Sequence, residues 1–540
     1  MAANNKEFKV LVSDPVSEDG ILALLNDPTI EVVIKTDYTP EELIEAIKDF
    51  DGLVIRSQTQ VTAEVLAAAN KLKVIGRAGV GVDNVDVKSA TEKGIVVLNS
   101  PEGNTMAATE HTWALLLALA RKVSQAASSM SDGKWDRKKF TGSELYGKTL
   151  GVIGLGKIGS AVVRRGRGFE MDIIAYDPFV TEEQATRMGI KLMSLEDVLK
   201  NADFVTIHVP KTKDTTNLIN KERLGLMKPT ARLINCARGG VVNEQDLADA
   251  VKNNTIAGAA VDVYSVEPAT SDNPLIIAAV EGTPNLILTP HLGASTEEAQ
   301  IKVAVDVSEQ ISDYFHGIPA RSAVNVPALP ADLLAKLKPY MNLIDKIGKL
   351  HGQISNGAIK SVKVEYSGKV VEEDTTPLIP ALLQGLLSPV LGTEAINSVN
   401  ARYIAENRGI QINEIRTNSG SDYSTLMSVT VTTESGSHKI EGTLFNQETP
   451  RIICIDSYRI EIEPNGVYLI CFHKDKPGII GAVGQIFGAY DINIASMQVG
   501  RIEIRGDAVM ALGIDEHPSE KVFDKISSID GMNHLYLVEL

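Results

Sequence analysis

The sequence predicts an α/β fold with two doubly wound parallel sheets, followed by an α+β region and a ferredoxin-like segment at the end. Short β-branched runs alternate with helical segments from residue 8 to about 320. A proline-containing link follows, and the last segment after residue 466 has the order strand, helix, strand, strand, helix, strand. Strands that alternate with helices form parallel sheets covered by helices on both faces.

Two sets of buried strands are predicted before residue 320, with helices such as Pro40–Lys48 and Thr62–Ala69 between them. The first set contains Phe8–Ser13, Gly52–Ile55, Val74–Gly76 and Val96–Leu98. The second set contains Thr149–Ile153, Asp172–Tyr176, Phe204–His208, Arg232–Asn235, Gly258–Val261 and Leu286–Leu288. Two sets predict two domains with a cleft between them.

A long helix from about Thr296 to Phe315 is expected to close this part of the chain. Ser295 is the expected N-cap, with Glu298 as its capping-box partner, and Gly317 can end the helix. The link Arg321–Pro330 then predicts a domain boundary.

The last third is expected to contain two further units. Residues 331–464 are predicted to combine one helix with the strand-like runs Ser361–Tyr366, Ser428–Thr433 and Ile452–Ile455. After residue 466 the predicted elements include the strand Val467–Phe472, the helix Gly478–Tyr490 and the final strand Leu535–Glu539. That order is typical of the ferredoxin-like split βαβ arrangement.

Composition excludes several classes of protein. The formal charge of -16 argues against nucleic acid, whose binding proteins usually carry a basic excess. We read no signal peptide in the N-terminal sequence, and the most apolar run, Trp113 to Ala120, is too short to cross a bilayer. Cys236, Cys454 and Cys471 are too widely spaced for a disulfide framework or a metal cluster. We therefore expect a metal-free protein of the reducing cytoplasm, without a membrane partner.

The motif GLGKIG at residues 154–159 predicts a Rossmann-like dinucleotide site, because a β-rich run precedes it and a helix follows. Gly154 permits the turn, Gly156 lets the backbone approach a pyrophosphate, and Gly159 lets helix and strand pack closely. A tight turn without a ligand is the alternative explanation of the motif taken alone. The cofactor-binding residues predicted from the motif are Gly154, Gly156, Lys157, Ile158 and Gly159.

Asp177 predicts which dinucleotide is used. It lies about twenty residues beyond the motif at a strand end, where a carboxylate meets the ribose hydroxyls. A carboxylate there repels a 2′-phosphate, and Pro178 and Phe179 supply no arginine to bind one. NAD is therefore expected as the cofactor.

Three polar residues follow strands of the second set and together suggest oxidation of a 2-hydroxy acid. Arg238 can bind a carboxylate with two N–H groups, His291 can take the hydroxyl proton, and Glu267 can fix the histidine tautomer. All three are expected beyond the carboxyl ends of parallel strands, where such sheets bind ligands. Taken singly, each has a simpler explanation: a surface ion pair, a turn carboxylate and a loop imidazole.

The chain resembles the D-isomer-specific 2-hydroxyacid dehydrogenases, and within that family the long-form members that act on D-3-phosphoglycerate. The resemblance is carried by GRAGVGVDNVD (76–86), NSPEGNTMAATEHT (99–112), GLGKIG (154–159), NCARGGVV (235–242), VDVYSVEP (261–268) and PHLGAST (290–296). It implies that Arg238 binds the substrate carboxylate, that His291 is the acid/base and that Glu267 pairs with it. It also implies that the remaining cofactor-side residues are Val80, His208, Cys236, Ala237 and Asp262.

The resemblance further implies four domains and a homo-oligomer, either a dimer or a tetramer. Residues 1–100 and 291–320 would form one discontinuous substrate domain, and residues 101–290 would form the NAD domain inserted into it. Residues 321–464 would form an intervening regulatory or anion-binding domain, and residues 465–540 an ACT domain. The same resemblance implies a cytoplasmic location, or the plastid stroma if this is a processed form.

The activity implied is NAD-dependent oxidation of D-3-phosphoglycerate to 3-phosphohydroxypyruvate, the first step of L-serine biosynthesis. Arg56 and Asn104 are the substrate-cleft residues that the resemblance adds. The family often has a second basic residue shortly after that first arginine, whereas this chain has Gln58. A glyoxylate or hydroxypyruvate reductase on the same scaffold is the alternative enzyme, and an NAD-sensing transcriptional corepressor is the alternative from another class.

The segment from 468 to 501 resembles an ACT regulatory domain through its D-x-P-G turn at Asp475–Gly478 and Asn493. Such domains in related dehydrogenases bind L-serine between paired subunits, which implies His473, Asp475 and Asn493 as regulatory residues. The helix N-terminus suits the carboxylate of an amino acid. The alternative is that the turn serves only to pack the domain.

Overall fold

The computed structural model describes residues 6–327, 331–417 and 422–540, and it confirms the predicted fold class. Its strands form two parallel sheets, then a mixed sheet, then an antiparallel one. The last three residues of the predicted link, 328–330, lie outside the described residues.

The first sheet has five parallel strands in the order β2-β1-β3-β4-β5. They are β1 (Phe8–Val12), β2 (Ile30–Ile34), β3 (Gly52–Ile55), β4 (Val74–Arg77) and β5 (Val96–Leu98). The helices between them are α1 (Leu22–Leu25), α2 (Pro40–Ala46), α3 (Ala63–Ala68) and α4 (Val87–Glu92). Strand β2 was not predicted, and it forms an edge of the sheet. The strand order reverses between β1 and β3, which opens a crevice at their carboxyl ends.

The second sheet has seven parallel strands in the order β12-β11-β10-β9-β6-β7-β8. Its strands are β6 (Thr149–Ile153), β7 (Asp172–Tyr176), β8 (Lys191–Leu192), β9 (Phe204–Ile207), β10 (Arg232–Asn235), β11 (Gly258–Val261) and β12 (Leu286–Leu288). Its helices are α5 (Thr105–Arg121), α6 (Val123–Ser131), α7 (Lys157–Gly168), α8 (Glu182–Arg187), α9 (Leu195–Asn201), α10 (Lys221–Leu224), α11 (Glu244–Lys252) and α12 (Pro274–Val280). The order reverses between β6 and β9, so a second crevice opens there.

Helix α13 (Glu297–Phe315) returns the chain to the first sheet. Its Val307 and Ile311 are fully buried in one cluster with Val10 and Val54 of that sheet. The predicted N-cap was wrong by one residue, since Thr296 accepts the Ala299 amide through its side chain and no capping box forms with Glu298. Gly317, with φ +73°, follows the helix end as expected.

The described residues of the intervening region contain more helix than predicted, with three α-helices instead of one. They are α14 (Ala331–Ile354), α15 (Leu378–Leu391) and α16 (Ala401–Asn407). They accompany a mixed sheet of β13 (Ile359–Gly368), β14 (Gln411–Thr417), β15 (Thr425–Thr433), β16 (Ser437–Phe445), β17 (Thr449–Ile455) and β18 (Tyr458–Ile462), in the order β14-β13-β15-β16-β17-β18.

The final segment has the predicted ferredoxin-like order. Its elements are β19 (Val467–Lys474), α17 (Ile479–Ala489), β20 (Ile494–Arg501), β21 (Asp507–Ile514), α18 (Glu520–Ser527) and β22 (Met532–Glu539). The four strands form an antiparallel sheet in the order β20-β21-β19-β22. Ile470 and Val538 of this sheet belong to the same buried cluster as Ile347 and Leu386 of the intervening helices. The two C-terminal units therefore share one hydrophobic core.

Within the described ranges, no helix combines the length and the apolar character that crossing a bilayer needs. The same residues contain no cluster of three or more histidine, cysteine or acidic side chains suited to a metal ion.

Candidate active site

The glycine motif lies at the crevice of the second sheet, between β6 and α7. Gly154 has φ +95°, and a Cβ there would lie 2.5 Å from the carbonyl oxygen of His208. A Cβ on Gly159 would lie 2.0 Å from the Gly154 carbonyl oxygen. Gly156, the N-cap of α7, has no atom within 4 Å of its Cβ position, so the start of this helix is open to a ligand. This geometry fits a dinucleotide pyrophosphate at the helix N-terminus.

Asp177 closes the same loop from the end of β7. Its Oδ2 accepts the Leu155 amide at 2.7 Å, and its Oδ1 accepts the Phe179 amide at 2.8 Å. A carboxylate has about four acceptor positions, so both oxygens retain capacity for ribose hydroxyls. The residue thus stabilises the glycine loop as well as standing where a ribose is expected.

A cavity of about 200 Å³ extends from this loop toward His291. Its lining includes the predicted residues Val80, Asn104, Ile158, His208, Cys236, Ala237, Arg238 and His291. The Oδ1 atom of Asn104 is buried there, and none of the described residues forms a hydrogen bond with it, which leaves an acceptor for a bound molecule. Burial lowers the pKa of His208 to about 4, so this imidazole is neutral at neutral pH. The cavity fits the nicotinamide half of a dinucleotide.

His291 and Glu267 meet at the mouth of this cavity. His291 Nδ1 lies 2.6 Å from Glu267 Oε2, and Glu267 Oε1 accepts the Tyr264 amide at 3.0 Å. Burial would raise the pKa of Glu267, but the hydrogen bonds from His291 and Tyr264 outweigh it and keep the pKa below its usual value. The carboxylate is therefore ionised at neutral pH, and the imidazole directs its Nε2 away from it.

Asp262 holds the loop that carries His291. Its side chain is fully buried, Oδ1 accepts the Leu292 amide at 2.8 Å, and Oδ2 accepts the Gly293 amide at 2.9 Å. His111 Nε2 lies 3.1 Å from Oδ1, and the Thr289 hydroxyl donates to the same oxygen at 2.6 Å. Its predicted contact with the nicotinamide half stays a prediction.

A second cavity, of about 400 Å³, lies beside the histidine, and three arginines line it or lie near it. Arg56 and Arg77 line it with Glu267 and His291, and the positive charges of Arg238 and Arg56 both act on Arg77. Burial, together with the charge of Arg238, lowers the pKa of Arg77 to about 10, so it remains a cation at neutral pH. In a chain of net charge -16, such a cluster is a local site for an anion.

Arg77 was missed by the sequence analysis, although it lies within the motif at 76–86. The signal that could have found it is its place at the carboxyl end of β4, next to the strand that ends before Arg56. Arg238 reaches the same loop from the other sheet, with Nε 3.3 Å from Asp83 Oδ2. Lys157, at the start of α7, lies with its Nζ 2.5 Å from Glu102 Oε1.

The predicted regulatory residues lie in the last unit, where Asp475 and Asn493 bond to different groups. Asp475 Oδ2 accepts Arg501 Nη1 at 2.8 Å and the Arg505 amide at 3.1 Å. Asn493 Nδ2 instead donates to Asp515 at 2.6 Å. His473 is buried, and its Nε2 has no hydrogen-bond partner among the described residues.

Comparisons with known proteins agree with this geometry. Residues 113–293 match the family model "D-isomer specific 2-hydroxyacid dehydrogenase, NAD binding domain". Residues 336–456 match "D-3-phosphoglycerate dehydrogenase intervening domain", and residues 467–531 match "ACT domain".

Relatives align along nearly the whole chain. The chain is 46% identical to D-3-phosphoglycerate dehydrogenase of Synechocystis sp., over 98% of this chain and 95% of the relative. It is 44% identical to D-3-phosphoglycerate dehydrogenase of Archaeoglobus fulgidus, over 99% of this chain and 100% of the relative. The chain belongs to the D-3-phosphoglycerate dehydrogenase family. It is thus an NAD-dependent oxidoreductase of the D-isomer-specific 2-hydroxyacid dehydrogenases.

A solved structure supports the arrangement of the catalytic region of this D-3-phosphoglycerate dehydrogenase family member. D-lactate dehydrogenase from Aquifex aeolicus, complexed with NAD and lactic acid, superposes with a TM-score of 0.53 at 28% identity. The superposition covers 59% of this chain and 99% of that structure. The superposition therefore spans nearly all of that dehydrogenase and about three fifths of this chain.

Proposed function

We propose that the chain oxidises D-3-phosphoglycerate to 3-phosphohydroxypyruvate with NAD, which is the first step of L-serine biosynthesis. The observation that carries the proposal is the cluster of Arg56, Arg77 and Arg238 beside the His291–Glu267 pair. The substrate carries two anionic groups, a carboxylate and a phosphate, and arginine binds both with paired N–H groups. Arg238 is assigned to the carboxylate, and Arg56 and Arg77 to the phosphate.

The proton and the hydride leave the substrate toward different groups. His291 Nε2 takes the proton of the 2-hydroxyl, and Glu267 stabilises the imidazolium that forms. NAD, when bound at the glycine loop, accepts the hydride from carbon 2. Arg238 holds the carboxylate so that the hydroxyl faces the histidine and the hydrogen on carbon 2 faces the cavity near Ala237.

The test compares substrates on the purified protein. Initial rates are measured by NADH formation with D-3-phosphoglycerate, and by NADH consumption with 3-phosphohydroxypyruvate, glyoxylate and hydroxypyruvate. We expect the highest kcat/KM for the phosphorylated substrate and its keto product. A preference for glyoxylate or hydroxypyruvate would indicate a reductase of small acids, and inactivity toward all of them would favour the NAD-sensing corepressor.

We also propose that the protein works as a homo-oligomer, a dimer or a tetramer, in the cytoplasm. Support comes from large apolar side chains exposed between residues 123 and 146, with Trp135 79% and Tyr146 68% exposed. The three cysteines are free and buried, as suits a reducing compartment. Light scattering should give a mass at least twice the 58.1 kDa of one chain, and a monomer would contradict the proposal.

L-serine is the effector that we propose for the ACT domain, bound between two copies through His473, Asp475 and Asn493. Asp475 and Asn493 make separate contacts within one chain, which agrees with a site that two chains complete. The unpartnered Nε2 of His473 adds a buried polar atom beside Asp475. Binding of serine is expected to lower turnover.

A further inference from the structure

The loop after β4 contains two glycines, Gly79 and Gly81, that neither the mechanism nor the backbone conformation explains. Neither has a positive φ, so the backbone itself would accept other residues at both positions. Gly79 is buried and its amide donates to the Arg77 carbonyl oxygen at 2.8 Å, which forms a tight turn. Space, and not backbone conformation, is therefore what would restrict these two positions to glycine.

The space is occupied by the guanidinium groups of the arginine cluster. A Cβ on Gly79 would lie 1.5 Å from Nη1 and 2.7 Å from Cζ of Arg77. A Cβ on Gly81 would lie 2.3 Å from Nη2 of Arg238 and 2.8 Å from Oδ2 of Asp83. A methyl group at either position excludes the guanidinium from its present place.

The loop itself is held firmly, so the arginines would be the groups to move. Asn84, five residues after Gly79, donates to the carbonyl oxygens of Arg56 at 2.8 Å and Thr59 at 2.6 Å. The Val85 and Asp86 amides are also bonded to backbone carbonyl oxygens. The nearest atoms to the new methyl groups are the ends of long, flexible side chains, which can swing aside while the fold is kept.

We propose that Gly79 and Gly81 are positioning residues that set the anion specificity of the site, Gly79 by seating Arg77 and Gly81 by seating Arg238. This inference rests on the proposed function, in which Arg77 serves the phosphate and Arg238 the carboxylate. Arg77 extends from the end of β4 in the first sheet, whereas Arg238 extends across the cleft from the loop after β10 in the second sheet. The two glycines therefore let cations from both sides approach one substrate.

The variants are Gly79→Ala, Gly81→Ala, Arg77→Ala and the double variant Arg77→Ala/Gly79→Ala. The matched control is Gly168→Ala, because no atom lies within 4 Å of that Cβ position and its φ is not positive. For each we measure kcat and KM with D-3-phosphoglycerate, the Kd for NAD by calorimetry, and thermal unfolding.

Gly79→Ala is expected to raise the KM for D-3-phosphoglycerate about 10- to 100-fold, the usual size for a lost hydrogen bond to a charged group. Its Kd for NAD should stay within about twofold of wild type. Gly81→Ala should lower kcat/KM through Arg238 in the same way, and Gly168→Ala should change neither constant. On the Arg77→Ala background, Gly79→Ala should add almost nothing, because the group that it displaces is already absent.

The double variant distinguishes two explanations of a loss in Gly79→Ala: displacement of the Arg77 guanidinium, or a structural role of the glycine that does not involve Arg77. An equal loss from Gly79→Ala with and without Arg77 would overturn the proposal, and so would an unchanged KM in the single variant. If Gly79→Ala unfolds the chain, removal of Arg77 should restore folding, and failure to restore it overturns the proposal as well. Wild-type protein that does not turn over D-3-phosphoglycerate would instead refute the proposed function.

Discussion

In the proposed mechanism, the hydrogen bond from His291 Nδ1 to Glu267 Oε2 determines which imidazole nitrogen exchanges a proton with substrate. Because Glu267 stays ionised, it holds a proton on Nδ1 and leaves Nε2 to act as the base. Both side chains follow strands of the second sheet, so their separation is fixed by β11 and β12.

His291→Ala is expected to lower kcat by about two to four orders of magnitude, the range for loss of a general acid/base. The Kd for NAD should stay near that of wild type, because the glycine loop and Asp177 remain. Stopped-flow measurement of hydride transfer checks the prediction. An unchanged rate of that step would remove His291 from the proposed role.

Asp177→Ala combined with Pro178→Arg is expected to shift preference toward NADP, since a repulsive charge is lost and a phosphate partner is gained. Asp177 also accepts the Leu155 and Phe179 amides, so the loss of its oxygens should weaken binding of both cofactors. Asp177→Asn is the control, because it keeps one acceptor oxygen without the charge. The ratio of kcat/KM for NAD and NADP is measured, and a ratio that does not move contradicts the prediction.

At the scale of elements, the sequence predicted the strands and helices whose residues are buried or follow a regular apolar pattern. The central strands of both parallel sheets are continuous apolar runs, and each was placed within one residue of its observed ends. Strands β2 and β8 were missed, although the other two edge strands, β5 and β12, were predicted. Strand β8 has two residues, and β2 (IEVVI) contains a glutamate and is mostly half-buried, so neither forms a continuous buried apolar run.

Helix α15 was missed for another physical reason. Its sequence LIPALLQGLLSPVL is apolar almost all round and contains two prolines, so it lacks the polar face that marks a surface helix. It is buried against α14, and the two helices pack closely at Gly348 and Gly352 of α14. A Cβ on either glycine would lie 2.4 Å from a backbone carbonyl oxygen of α15. Such close packing is a property of the tertiary structure, as is the convergence of Arg77 with Arg56 and Arg238.

The corrected cap of α13 gives a prediction at this scale. Thr296→Ala should destabilise the catalytic region by about 1 kcal/mol, because the Ala299 amide loses its acceptor. Ser295→Ala is the matched control and should change the free energy of unfolding much less. Urea unfolding of both variants checks this, and equal losses would contradict the assignment of Thr296 as the cap.

At the scale of the whole molecule, the intervening unit and the ACT domain pack together around one hydrophobic core. Tyr468, Ile470 and Val538 of the ACT domain complete the core that α14 and α15 begin. That body also contacts the first sheet's helices, where Asn397 Nδ2 donates to the Gly94 carbonyl oxygen at 2.9 Å and the Tyr403 hydroxyl donates to Glu92. Packed contacts therefore connect the ACT domain to the first sheet, whose strands carry Arg56 and Arg77 at their ends.

L-serine is expected to lower turnover of the full chain with a coupling of about 1–3 kcal/mol between its site and the active site. Asp475→Ala should abolish this sensitivity and leave the uninhibited kcat nearly normal, because the residue contacts Arg501 and Arg505 and no active-site group. Asp524→Ala, on the exposed face of α18, is the control and should keep the sensitivity. Calorimetry with serine must use the whole chain, since the ACT domain shares its core with α14 and α15 and would expose it if cut away. Full-length protein that neither binds serine nor slows in its presence would refute this regulation, and the assignment to the dehydrogenase family would be unaffected.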